Sequence, residues 1–139
     1  MVEIINKQRK QPINLKKFEE LIESLSRHYG FQETQITLAF VGSRAIRTLN
    51  RDFRKKDEVT DVLSFPIREK NPDGNFYLGD IIIAVPVAER QGAAHGHGTE
   101  RELEILTVHG YLHLLGYKHF AGIEEEDEEA CRLFLKGYQ

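Results

Sequence analysis

Apolar positions recur along this chain with two periods, and the switches between them mark out its elements. Val2, Ile4 and Ile5 suggest a first strand, after which Leu15, Phe18, Leu21, Ile22 and Leu25 recur at helical spacing until Gly30 ends the helix. In "QITLAFV" (35–41) a period of two puts Ile36, Leu38 and Phe40 on one face of a strand. Ser43 offers an N-cap for a helix through "RAIRTLNRDF". Two further strands, 59–65 and 77–85, are joined by a loop that contains the turn-forming "NPDGN" at 71–75. A helix follows Pro86, and His95 to Gly98 form a loop. Thr99 and Glu102 then read as a capping box opening a helix that runs to Gly116, and a last helix starts in the acidic run 124–129. The order β-α-β-α-β-β-α-α-α predicts an α+β fold with a single mixed sheet of about four strands covered by helices.

A length of 139 residues suits one domain spanning 1–139, with about two thirds of the unfolded surface buried around one core. The longest apolar run, "IIIAV" at 81–85, stops at Pro86 and is far short of the roughly 20 residues that span a bilayer. The charged N-terminus does not read as a signal peptide, and the single Cys131 leaves no internal disulfide. A soluble, cytoplasmic protein without a membrane partner is expected. The net charge of −3 argues against a generally nucleic-acid-coated surface, so any basic site has to be local.

The chemistry concentrates in "HGYLHLLGYKH" (109–119), which carries His109, His113 and His119. His109 and His113 are four apart on a helix and therefore share a face. Glu100, Glu104, Thr107 and Tyr111 fall on one arc of that helix, and the histidines lie on the other side between Ile105 and Leu106, so the pair is expected to point inward. Imidazole nitrogens left unpaired in an apolar setting cost about 1–3 kcal/mol each, and one shared metal ion satisfies both. Gly116 lets the chain fold back so that His119 supplies a third nitrogen. Three imidazoles and one open position describe a catalytic zinc site rather than a closed structural one.

The same spacing occurs in metzincin proteases, where the residue after the first histidine is a glutamate acting as general base. Here it is Gly110, which cannot take a proton. A helical glycine costs about 1 kcal/mol relative to alanine, and close approach of another backbone or of substrate would account for it. Arg44, Arg47, Arg51 and Arg54 fall on one arc of their helix, extended by Lys55 and Lys56, with Ile46, Leu49 and Phe53 opposite to anchor it. A localised basic stripe is what phosphate contacts require, and the planar guanidinium suits phosphate through paired donors. Beside such a stripe the missing carboxylate fits a phosphate substrate, which a negative side chain would repel.

"LNRDFRKKDEVTDVLSFP" (49–66), "LGDIII" (78–83) and the histidine motif together resemble the YbeY family of bacterial endoribonucleases, over most of the chain from about residue 37 to 120. The resemblance implies a zincin-like α+β fold and one zinc ion on His109, His113 and His119. It further implies single-stranded RNA as substrate, with a role in ribosomal RNA maturation (the small-subunit 3′ end) and ribosome quality control, hence the ribosome or its small subunit as a partner. Arg54 matches the arginine the family treats as essential, and Arg44, Arg47, Arg51 and Lys55 become candidates for flanking phosphates. Asp61 and Asp80, both unexpected in strands, match family positions and are second-rank candidates for orienting a ligand or a water. Lys118 departs from the family's usual aspartate; it cannot orient an imidazole by accepting a hydrogen bond, and contact with substrate phosphate is the alternative. His95 and His97 read as solvated loop residues, the run 124–129 as exposed surface, and Cys131 as a core residue. Two other readings stay open: a metal-dependent hydrolase of another class, most obviously a peptidase, and a ribosome-associated binding module with a structural metal.

Overall fold

The computed structural model describes residues 1–117 and 122–138. Its elements are β1 (Val2–Asn6), α1 (Leu15–Tyr29), β2 (Thr34–Val41), α2 (Ser43–Arg54), β3 (Val62–Lys70), β4 (Phe76–Ala84), α3 (Val85–Ala94), α4 (Thr99–Leu114) and α5 (Ile123–Phe134). The order matches the expected one. The four strands form one sheet in the order β1-β2-β4-β3, parallel across β1/β2 and β2/β4 and antiparallel across β3/β4, a mixed α+β sheet. Among the described residues no helix is long and apolar enough to cross a membrane.

Alternation along β2 sorts the core into two layers. Ile36, Leu38 and Phe40 face α1, α4 and α5, where they meet Phe18, Ile22, Leu25, Leu112 and Ile123. Ala39 and Val41 face the other way, toward Ile46 of α2 and Val87 of α3. Cys131 is buried in the larger layer, and its burial, with Asp127 nearby, pushes the thiol up to about 12, consistent with a packing role.

Several boundaries differ from the sequence expectations. Ser43 is the first residue of α2 and Gly42 its N-cap, without a side-chain cap bond. The capping box at α4 does not form: Gly98 is the N-cap, and the Glu102 carboxylate is taken by the imidazoles of His95 and His97. β3 starts and ends later than 59–65 and carries an irregularity between Pro66 and Glu69. Phe53 is exposed rather than anchoring α2; its ring meets Phe65 edge-on at 5.7 Å, while the buried Asn50 joins the helix to the following loop by donating from Nδ2 to the Glu58 carbonyl at 3.0 Å.

α4 touches β3, β4, α1, α3 and α5, so it is enclosed on nearly every side. That reverses the expected facing of its arcs. Glu104, Thr107 and Tyr111 are buried, their polar groups met by Lys17 and Arg101, by the Leu103 carbonyl at 2.7 Å and by Ser26 Oγ at 3.0 Å. His109 and His113, expected to point inward, are half-buried at the rim of a cleft.

Gly110 explains how α4 can sit so close to the sheet. A Cβ there would stand 2.6 Å from Ile81 Cγ2, 3.2 Å from Ser64 Oγ and 3.3 Å from Val62 Cγ2. In its absence the Ser64 hydroxyl donates to the Gly110 carbonyl at 3.0 Å. The glycine therefore serves close helix-to-sheet packing, the close approach expected from its place inside a helix. Gly110→Ala gains about 1 kcal/mol in helix propensity against about 1–3 kcal/mol of overpacking. It is expected to lower the denaturation midpoint, and Ile81→Leu in the same chain, which conserves volume but carries no Cγ2 methyl, to recover part of the loss; urea unfolding of the single and double variants checks both.

Candidate metal and phosphate site

The C-terminal half of α4, the start of β3 and the end of α2 enclose an open cleft of about 480 Å³, lined by residues that include Arg54, Asp61, Ser64, Arg68, His109, His113 and Tyr117. The helical offset of four brings His109 Nε2 and His113 Nε2 within 3.1 Å, their rings 4.6 Å apart and steeply inclined. A tetrahedral zinc ion with Zn–N bonds of about 2.0–2.1 Å holds its ligand nitrogens about 3.3 Å apart, so these two donors fit one such ion with almost no movement. His119, the third expected ligand, and Lys118 lie outside the described residues.

Behind His109, Asp127 of α5 places Oδ2 3.4 Å from Nδ1. A carboxylate on the far nitrogen of a liganding imidazole fixes the ring and its tautomer. The sequence reading of 124–129 as exposed surface is thus corrected at two places, since Asp127 and Glu126 are half-buried. Glu126 accepts from the Tyr29 hydroxyl at 2.6 Å, and burial together with this carboxylate raises the tyrosine's pKa. A signal was present: Asp127 lies four residues from both Ile123 and Cys131, on the apolar stripe of α5.

The basic residues of α2 divide. Arg54 lines the cleft beside the histidines. Arg44, Arg47, Arg51 and Lys55 are exposed, with Lys55 capping the helix in the left-handed region at φ 62°. Arg47 donates from Nε to Asp57 at 2.8 Å, and this hydrogen bond holds the Asp57 carboxyl below its ordinary range. Arg51 pairs with Asp52 at 3.0 Å. Both pairs lie at the surface, where water and salt leave such contacts weak and exchangeable.

Asp61 precedes β3 and lines the cleft. Its Oδ1 accepts from the Val62 backbone N–H at 2.7 Å, and Oδ2 from Gln91 Nε2 at 3.3 Å. Asp80 is not among the residues lining the cleft. It follows from the alternation with Ile81, which touches α4 at Gly110, that Asp80 is on the opposite sheet face, where it accepts from the Tyr77 hydroxyl.

Sequence reading missed Arg68. The β3 irregularity leaves it at φ 52°, with its guanidinium reaching the C-terminal end of α4 to donate to the Leu115 carbonyl at 3.3 Å. It lines the same cleft. No local pattern marks it, because its position depends on a bulge.

A second group of donors gathers elsewhere. His95 Nδ1 and His97 Nε2 stand 3.2 and 2.6 Å from Glu102 Oε1. One ligand atom from each of the three residues falls within 4.8 Å of the others, a span that one metal ion can bridge. The expectation of solvated loop histidines is therefore replaced by a paired cluster.

A sequence profile for the family described as "Endoribonuclease YbeY" matches residues 3–133. A protein named Endoribonuclease YbeY from Moorella thermoacetica is 48% identical over 106 residues, covering 70% of this chain and 68% of the relative. One of the same name from Staphylococcus aureus is 40% identical over 120 residues, covering 81% and 77%. Among solved structures, the solution structure of TM1509 from Thermotoga maritima shares the fold with a TM-score of 0.58 and 26% identity, over 96% of this chain and 91% of that one. With the profile running through all but the first and last few residues, and these relatives carrying its name, the chain belongs to the YbeY family.

Proposed function

We propose that residues 1–139 act as one metal-dependent endoribonuclease domain that cleaves single-stranded RNA in the maturation of ribosomal RNA, at the small-subunit 3′ end, and in ribosome quality control in the cytoplasm. The observation that carries this reading is the convergence of two imidazole Nε2 atoms 3.1 Å apart with Arg54 in one open cleft. The name Endoribonuclease YbeY borne by relatives 40–48% identical supports it.

In this reading His109, His113 and His119 hold one zinc ion, which when bound supplies Lewis acidity toward a phosphate oxygen or a water. Asp127 keeps the His109 ring turned so that Nε2 faces the cleft. Arg54 donates to the scissile phosphate where charge builds during in-line displacement. Arg44, Arg47, Arg51 and Lys55 hold flanking phosphates along α2, with Arg47 and Arg51 exchanging their surface carboxylates for the substrate. Arg68 contacts the RNA strand from β3, Lys118 contacts phosphate beside His119, and Asp61 orients a water. Asp80 acts only at a distance, through Tyr77 and the sheet.

A peptidase is disfavoured by more than the identity of residue 110. A Cβ there would crowd Ile81, Ser64 and Val62 at 2.6–3.3 Å, so a glutamate at that position would not fit without lifting the helix off the sheet.

Zinc-loaded protein is expected to cleave unstructured RNA and leave casein intact, and Arg54→Ala to lower the cleavage rate by about 10²–10³, the scale for losing one donor to a charged transition state; casein digestion would overturn the reading. End analysis identifies the nucleophile: a 2′,3′-cyclic phosphate marks attack by the ribose 2′-hydroxyl. Arg68→Ala weakens RNA binding uniformly across sequences and reduces the salt slope by about one, whereas a residue that only caps α4 would change thermal stability alone. Asp127→Asn lowers zinc affinity by about 10–100-fold, as measured by competition with a chromogenic chelator.

A further inference from the structure

We propose that His95, His97 and Glu102 form a second metal site, separate from the histidines of the cleft, which binds a late first-row divalent ion and clasps the turn between α3 and α4. The Glu102 side chain is only 4% exposed, and a carboxylate this deep needs positive charge or strong donors around it. Two imidazole nitrogens converge on its Oε1 from separate points of the turn: His95 is the C-cap residue of α3, His97 lies in the turn, and Glu102 is in the first turns of α4.

The frame behind these donors is fixed by backbone rather than by side chains. The His95 and His97 N–H groups donate to the carbonyls of Gln91 and Gly92, each at 2.9 Å, and the Glu102 N–H to Gly98 at 3.2 Å. Gly92 permits this seat, since a Cβ there would stand 2.9 Å from the Gly98 oxygen and 3.1 Å from that of His97. Donors held on a closed turn lose little freedom on binding an ion.

The separations suit a small ion. Tetrahedral zinc sets its ligand atoms about 3.3 Å apart, and the present 2.6 and 3.2 Å contacts become ligand–ligand edges after shifts below about 1 Å. Each imidazole moves its N–H to the outward nitrogen, leaving the inner lone pair for the ion. Imidazole with carboxylate favours zinc and its neighbours over magnesium or calcium. The charge balance is also favourable: Glu102 offsets one of the ion's two charges, and the nearby Arg101 is occupied by Glu104 at 3.7 Å and by the Lys136 carbonyl. A cleft of about 670 Å³, lined by Arg101, Ile105 and Tyr138 among others, gives the ion an entry path and leaves room for water in the remaining position. Because Arg101 and Tyr138 border it, the site ties the α3–α4 turn to the C-terminal segment.

Zinc titration of the chelator-stripped protein, read by metal analysis and by the visible absorption of a cobalt substitute, tests this. The variant His109→Ala with His113→Ala is expected to retain one equivalent of zinc with tetrahedral cobalt bands, and zinc should raise its thermal midpoint. Adding Glu102→Gln, which keeps the volume and a hydrogen-bonding group, should abolish both the equivalent and the shift. If the double variant binds no zinc, or if Glu102→Gln leaves its zinc in place, the proposal is wrong. Should that variant not fold, the parent chain serves: loss of one equivalent with Glu102→Gln and of a different one with His113→Ala supports the second site, and an unchanged stoichiometry in Glu102→Gln overturns it. Zinc that depends on Glu102 but not on His109 or His113 would sink the cleft reading and leave this one standing.

Discussion

The close seat of α4 on the β3–β4 pair is the contact on which the remainder depends. With hydrogen as its only side chain, Gly110 lets the helix backbone come down onto Ile81 and Val62 and exchange a hydrogen bond with Ser64. His109 and His113 flank that contact on the same helix. Their rings therefore line the same cleft as Arg54 and Asp61. A helix raised by one methyl group would still form, but the imidazoles would stand off from the strand ends that complete the site.

Electrostatics follow from this placement. The chain is acidic overall, yet the cleft collects two arginines from the consecutive elements α2 and β3, and the stripe along α2 partly neutralises itself against Asp52 and Asp57. On the proposed RNA reading, a polyanion at α2 would trade one set of weak surface pairs for another, and the stripe would favour strands that present several phosphates at once.

Much of the fold was legible from periodicity wherever a strand or helix has one clear apolar face. β2 is the plainest case: alternation placed Ile36, Leu38 and Phe40 together, and they do share a layer. α4 was harder, since a helix enclosed on all sides has no solvent face to read, and its buried polar groups are satisfied by partners from α1 that no local pattern reveals. The same limit hid the partners of Glu102. It looked like a capping residue because Thr99 stands three positions before it; the geometry of the preceding turn offered two imidazoles instead. The histidine pair needed no such context, as a spacing of four on a helix already sets the distance between the rings.

The bulge in β3 bears on more than the cleft. β3 is an edge of the sheet, and an open edge is a template on which a second chain can add a strand. Pro66 supplies no N–H, Arg68 turns the backbone into the left-handed region, and Glu69 and Lys70 follow with exposed charge. The irregularity that brings Arg68 to the cleft thereby also breaks the ladder of unpaired amides along the sheet margin, guarding the molecule against edge-to-edge aggregation.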